Sequence, residues 1–75
     1  MLMVLIVFMT PGLTKSKIVN AFMDICHYGY SDAHSYAEQL LTRGQVIVGK
    51  GEYDRLEPYR AALSENGFDV EIQAY

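Results

Sequence analysis

Cys26, His27 and His34 are the residues whose side chains could support nucleophilic or metal chemistry. A catalytic thiol needs a base within hydrogen-bonding distance and a third group that orients the base. Adjacent residues of a helix point about 100° apart, so Cys26 and His27 diverge if their segment is helical. A zinc site needs several Cys, His or acidic ligands at compatible spacing. We therefore expect no catalytic residue and no metal site, with Cys26 in the core and both histidines on the surface.

The segment Thr14-Lys15-Ser16 follows an apolar run and weakly resembles a phosphate-binding loop. The full loop motif needs two glycines, so that backbone N–H groups can surround the phosphates, and Thr14 stands where the second glycine is required. A more limited role remains for Lys15 and Lys17. They lie at the expected start of a helix, where an anion or an acidic side chain could bind.

The charged residues indicate neither acid–base catalysis nor nucleic-acid binding. The acidic residues are scattered, and no close pair in an apolar setting predicts a raised carboxyl pKa. The formal net charge is −3. Nonspecific nucleic-acid binding requires an excess of Lys and Arg, so we expect no nucleic-acid partner. We predict that the chain is not an enzyme and that it uses no cofactor.

Six tyrosines are the most unusual part of the composition. Tyr36 and Tyr59 fall on the apolar faces of expected helices, and we predict both in the core. Tyr28 and Tyr30 flank a glycine at an expected turn, and Tyr53 follows a Gly-Lys-Gly segment. Exposed tyrosines favour protein interfaces because they offer contact area at a small entropy cost. These three either form a binding patch or line the rim of the core.

The elements that position these residues belong to a single compact domain, residues 1–75, of which 51% are hydrophobic. The first apolar run, Leu2 to Met9, is too short to span a bilayer and lacks the features of a signal peptide. We predict a strand buried on both faces, or a central strand whose second face meets a partner. One cysteine permits no intramolecular disulfide, and a small core without disulfides is typical of a reducing compartment or of an oligomer.

Two helices are expected next. Thr14 or Ser16 would cap the first, whose apolar positions extend to Cys26. Gly29 would supply the left-handed residue that ends this helix. Ser31 would cap the second helix, with an apolar face that includes Leu41, and Gly44 would end it.

The remaining elements are a strand, a helix and a last strand. Val46 to Val48 is the expected core of strand two, followed by a flexible Gly49-Lys50-Gly51 exit. Asp54 would cap the third helix, and because of Pro58 either its first turn would be distorted or its regular part would start near Pro58. Phe68 to Ala74 alternates apolar and polar residues, which indicates an antiparallel sheet with one wet face. The predicted class is α+β, a two-layer β-α-α-β-α-β sandwich with a three-stranded antiparallel sheet and helices on one face.

Two segments carry a resemblance to known proteins: TKSKIVNAFMDICHYGYSDAHSYAEQL, with its helix–glycine–helix hairpin, and LEPYRAALSENGFDVEIQA. From about Val4 to Ala74 the chain resembles the fold shared by the C-terminal domain of the bacterial ribosomal stalk protein and the ClpS-type N-degron adaptor of Clp protease. Strand two, GQVIVGKG, is more similar to the adaptor. The resemblance implies this fold and a role in binding other proteins.

The residues that act in those families differ here. The basic hairpin positions of the stalk domain match Asn20, Met23, Ser31 and His34, and only Lys15 is retained nearby. The acidic loop of the adaptor matches TPGLT, which has no acid, and Leu41 falls near the position of its histidine. Because a shared fold does not establish a shared function, the partner has to be inferred from the surface residues of this chain.

We therefore predict a cytoplasmic, non-catalytic protein-interaction module that acts as an adaptor, modulator or inhibitor of a larger protein machine. Its partner would be another protein, with no membrane association, and strand one also permits a homodimer. The alternative is a ribosome- or nucleic-acid-associated protein that stacks bases on tyrosine rings. The predicted partner-binding residues are Lys15, Lys17, His27, Tyr28, Tyr30, His34 and Tyr53.

Overall fold

A computed structural model describes all residues, Met1–Tyr75. The elements follow in the order β1 (Met3–Phe8), α1 (Lys15–Asp24), α2 (Tyr30–Arg43), β2 (Gln45–Gly51), α3 (Tyr53–Glu65) and β3 (Asp69–Ala74). The predicted α+β class and β-α-α-β-α-β order are confirmed, with the three helices packed on one face of the sheet. None of these helices is both long enough and apolar enough to cross a bilayer.

β1 is the central strand of an antiparallel sheet with the order β2-β1-β3. Leu5 and Val7 point to the helices and belong to the main core, while Val4 and Ile6 point to the open face. All four are buried, because neighbouring strands flank β1 on both sides. Val4 lies between Lys50 and Gln73 of the adjacent strands. Of the two alternatives predicted for the first strand, burial on both faces is therefore confirmed.

α1 packs against α2 and contributes buried residues to the core. Thr14 caps it, because its hydroxyl oxygen accepts a hydrogen bond from the Lys17 N–H at 3.2 Å. Ile18 and Phe22 are fully buried, and the Phe22 ring lies 6.2 Å from that of Phe68. This contact joins α1 to the segment that leads into β3. Of the two predicted caps, Thr14 and Ser16, the structure therefore has Thr14.

The turn between α1 and α2 differs from the prediction. α1 ends at Asp24, before Cys26, and the left-handed residue is His27, with φ of 60°. Gly29 is extended, with φ of −66°, and precedes α2 without a side-chain cap, so the predicted roles of Gly29 and Ser31 are wrong. Cys26 and Tyr28 both pack against the core. The chain therefore reverses at the residue between them.

The second half of the chain also corrects two expectations. The Gly49-Lys50-Gly51 segment is not a flexible exit, because it pairs with the first half of β1 and forms the end of β2. α3 begins at Tyr53, ahead of Pro58, and its cap position is Glu52 rather than Asp54. Leu56 is buried with Leu63, seven residues later on the same face. Pro58 has no N–H to donate to the Asp54 carbonyl. The packing of Leu56 stabilises the first turns, and the helix runs through Pro58 despite this missing bond.

α3 ends in a Schellman motif centred on Gly67, which confirms the predicted stop. Gly67 has φ of 89°, and its N–H donates to the Ser64 carbonyl at 3.1 Å. The N–H of Phe68 donates to the Leu63 carbonyl at 3.0 Å, and both side chains lie in the core. This pair of bonds satisfies two carbonyls at the helix end and directs the chain into β3.

The two glycines make a matched test of these turns. We expect Gly67→Ser to lower the free energy of unfolding by about 1–2 kcal/mol, because a side chain is strained in the left-handed region. Gly29→Ser should leave stability unchanged or raise it by about 0.5 kcal/mol, since an extended N-cap residue favours a serine hydroxyl. Urea denaturation measures both. Equal losses for the two variants would show that Gly29 is left-handed after all.

Candidate functional site

The largest concavity is a groove between the α1–α2 turn, β2 and the first half of α3, which we call the turn groove. Its volume is about 560 Å³. Side chains of Leu5, Val48 and Leu56, one from each of β1, β2 and α3, make its surface apolar. Binding sites for small molecules and for anchoring side chains have this size and this apolar lining.

Tyr28 forms one wall of the turn groove and is fixed by a hydrogen bond. Its hydroxyl donates to the carbonyl oxygen of Val48. Val48 is the extra residue of a β-bulge, since Leu5 pairs with Gly49 and Ile6 with Ile47. A bulge leaves a backbone group without its ladder partner, and the tyrosine supplies one. The ring of Tyr28 also lies 4.8 Å from that of Tyr36. Tyr28 is therefore half-buried and packs against the core, which matches the rim position, one of the two alternatives predicted for it.

Burial changes the acidity of two groups on this wall. It raises the pKa of the Cys26 thiol to about 11. It also raises the pKa of Tyr28 to about 12, with a further contribution from the neighbouring Tyr36 phenol. The thiolate is the nucleophilic form of cysteine, so Cys26 is unreactive at neutral pH. The half-buried, unreactive thiol matches the sequence-based interpretation of Cys26 as a packing residue.

The opposite wall is the exposed side of α3, formed by Arg55, Pro58 and Tyr59. Tyr59 is 37% exposed, which corrects its predicted place in the core. Its ring meets the His27 ring edge-on at 6.5 Å. Arg55 is exposed and has no carboxylate within salt-bridge distance, since the three ion pairs of the molecule involve other groups. This wall therefore offers an aromatic ring and an unpaired cation.

Other predicted residues lie at the same end of the molecule as the turn groove without lining it. Tyr30, 64% exposed, begins α2 and its ring lies 5.8 Å from that of His34. Tyr53, 50% exposed, begins α3. His27 is exposed at the turn itself. Both the turn and the start of α3 lie at the end of the sheet where β1 begins, so these aromatic side chains share one end of the molecule.

The structure separates the two predicted lysines from the tyrosines. Lys15 and Lys17 start α1, which has 10 residues, so they lie a helix length of about 15 Å from the turn. The Lys15 ammonium forms an ion pair with Glu38 of α2, which lowers the pKa of that carboxyl. The Lys17 ammonium lies beside Gly67, at the negative end of the α3 dipole. Both lysines thus have intramolecular electrostatic partners.

Arg55 and Tyr59 line the groove but are not among the predicted partner-binding residues. Pro58 favours a helix start beyond Arg55, and the helical spacing of Tyr59 with Leu63 predicts a core position for Tyr59. The two residues are four apart, the spacing that places side chains on one face of a helix. Extending the helix back to Tyr53 would have revealed that face. Leu41 was likewise predicted to face inward, yet it is 39% exposed.

No group of three or more His, Cys, Asp and Glu side chains lies close enough together to hold a metal ion. No protein-family model matches the chain, and a search of curated proteins found no significant match. The turn groove and its aromatic surroundings are therefore interpreted from their own geometry.

The bond between Tyr28 and Val48 can be tested by removing one hydroxyl. We expect Tyr28→Phe to lower the free energy of unfolding by about 1–2 kcal/mol, because the Val48 carbonyl then lacks a protein partner. Tyr30→Phe is the matched control and should change stability by less than about 0.5 kcal/mol, since Tyr30 is exposed. Urea denaturation compares them. Equal effects would contradict a structural role for the Tyr28 hydroxyl.

Stability should also fall in alkaline solution through Cys26. Its folded pKa of about 11 exceeds the usual value. Above about pH 9 the unfolded chain therefore loses the thiol proton while the folded chain keeps it, and unfolding becomes more favourable up to about pH 11. In Cys26→Ala, the decline in stability over this interval should be shallower than in the unmodified protein. Urea midpoints at successive pH values measure the slopes, and identical slopes would contradict burial of the thiol.

Proposed function

We propose that this chain is a non-catalytic protein-interaction module and that the turn groove is where it binds its partner. The observation that carries the proposal is a formed groove with an apolar floor, one rigid aromatic wall and one exposed wall with Tyr59 and Arg55. Tyrosine and arginine are the residue types most often responsible for binding energy at protein interfaces. A module of this kind acts as an adaptor, modulator or inhibitor of a larger machine.

The groove favours a particular kind of contact. The exposed side chains of Pro58 and Tyr59 can pack on an apolar side chain of the partner above the buried floor, and the volume of about 560 Å³ accommodates such an anchor. Arg55 has no internal ion pair, so it is free to bind a carboxylate next to that anchor. We therefore expect a partner segment in which an apolar residue lies near an acidic one.

Rigidity of the groove supports binding without rearrangement. The Tyr28 hydroxyl ties the helix turn to the bulge in β2, and the Tyr28 ring packs on Tyr36. Preformed sites lose less conformational entropy on association than mobile ones. Around the groove, Tyr30, His34 and Tyr53 extend the contact surface beyond the anchor.

The proposed location is the cytoplasm, and the proposed role is that of the adaptor class that the sequence resembles. The single thiol of Cys26 forms no disulfide, and the fold is held by its apolar core alone. That arrangement is compatible with a reducing compartment. The lysines of α1 take no part in this proposal, since they lie at the far end of the helix.

Affinity capture with groove variants tests the proposal. The unmodified chain should retain a specific protein from a lysate of its source cells, identified by mass spectrometry. Tyr59→Ala and Arg55→Ala should each reduce that capture by about tenfold or more, the effect of removing an interface residue that contributes strongly to binding. Tyr75→Ala and Arg43→Ala are matched controls, because both residues are exposed and lie outside the groove.

Circular dichroism of each variant establishes that it is folded. Equal capture by groove and control variants would refute the groove as the binding site. Retention of nucleic acid that weakens steeply with salt would instead point to the alternative class of nucleic-acid binder.

A further inference from the structure

We propose that the outer edge of β3 is a second interaction surface, which accepts an extended segment of a partner protein as a fourth strand. The segment would alternate basic and apolar side chains. β3 lies at one edge of the sheet, and its pairing with β1 is regular along its whole length, from Asp69 to Ala74. This surface is independent of the turn groove, which lies over β1 and β2.

The backbone of β3 offers unpaired groups at that edge. The Tyr75 N–H donates to the carbonyl of Leu2, directly opposite, at 3.1 Å. Hydrogen-bonded and non-hydrogen-bonded pairs alternate along an antiparallel ladder, so the N–H and C=O groups of Val70, Ile72 and Ala74 point outward. Outside the ladder with β1, no hydrogen bond involves the backbone of β3. These groups have the spacing that an added strand requires.

The other edge of the sheet is not equivalent. β2 contains the bulge at Val48, which interrupts the regular spacing of its outward groups. The Val48 carbonyl is already occupied by the Tyr28 hydroxyl. Bulges and local side-chain bonds are common means of preventing strand addition. Strand addition is therefore blocked at β2 and open at β3.

Side chains next to the β3 edge determine the chemistry of the added strand. Asp69 and Glu71 are exposed on the open face of the sheet, and neither carboxylate has an ion-pair partner. Val70 and Ile72 point to the helix side and belong to the core or pack against it. Directly opposed residues of paired strands share a face. An incoming strand should therefore present Lys or Arg on the open face and apolar residues on the helix face.

A second copy of the chain does not fit this edge. Antiparallel pairing of two β3 strands would put Asp69 and Glu71 of both copies on one face, with like charges adjacent, which is destabilising. Pairing of β3 with β2 of another copy meets the bulge. The occupant is therefore a different protein with a basic segment.

Nuclear magnetic resonance titration of the ¹⁵N-labelled chain tests this proposal with a defined probe. The probe is an acetylated heptapeptide of alternating valine and lysine, and its control replaces every lysine with glutamate. Saturable shifts should centre on the Val70, Ile72 and Ala74 amides with the lysine peptide and be absent with the glutamate peptide. Shifts centred on β2 or on the turn groove, or no binding at all, would refute it.

Variants separate charge from backbone contributions. The double variant Asp69→Asn/Glu71→Gln should bind the lysine peptide about tenfold more weakly, as expected for the loss of two cross-strand charge pairs. Glu65→Gln, an exposed acid at the end of α3, is the matched control and should bind normally.

Ala74→Pro removes an outward N–H without breaking the ladder, so it should weaken binding while the domain stays folded. Tyr59→Ala should not affect the peptide, which distinguishes failure of this edge from failure of the turn groove. Normal binding by both the double variant and Ala74→Pro would also overturn the proposal.

Discussion

The hydrogen bond from the Tyr28 hydroxyl to the Val48 carbonyl is the contact on which the rest of the proposed binding surface depends. The bulge in β2 places Gly49 rather than Val48 opposite Leu5 and leaves the extra residue, Val48, with a carbonyl outside the regular ladder. Tyr28 reaches that carbonyl because the chain reverses at His27, one residue earlier. One bond therefore positions the helix turn, forms a wall of the groove and occupies an acceptor at the β2 edge.

The central position of β1 explains how so short a chain forms a groove and an open edge together. A small domain buries a limited fraction of its surface, so its core must be concentrated. β1 provides this, because Leu5 and Val7 pack under the helices while Val4 and Ile6 are covered by side chains of the flanking strands. Above Val4, the Lys50 ammonium lies 4.9 Å from the centroid of the Tyr75 ring. The edge strands β2 and β3 therefore have fewer buried residues than β1, and more of their side chains are exposed at the surface.

The fold followed from the sequence where local signals and burial agree. The alternation of Phe68 to Ala74, the apolar first strand and the stop at Gly67 all predicted what the structure has. The site was less predictable, because it depends on tertiary contacts that have no local signal. Gly29 is a typical helix-ending residue, yet packing of Cys26 and Tyr28 put the left-handed position at His27. Pro58 similarly concealed the first turns of α3, which Leu56 stabilises from the core.

The two proposed surfaces carry unpaired charges of opposite sign, which the net charge of −3 does not reveal. Arg55 has no ion-pair partner and lies on the α3 wall of the groove, whereas Asp69 and Glu71 have none and lie on the opposite, open face of the sheet beside the β3 edge. Lys15 and Arg60, by contrast, are neutralised within the molecule by Glu38 and Glu57. Under both proposals, the opposite unpaired charges at the two sites would select different partner segments, since like charges repel at close range. The two proposed surfaces would then hold an acidic and a basic segment simultaneously, which is the geometry that bridging two proteins requires.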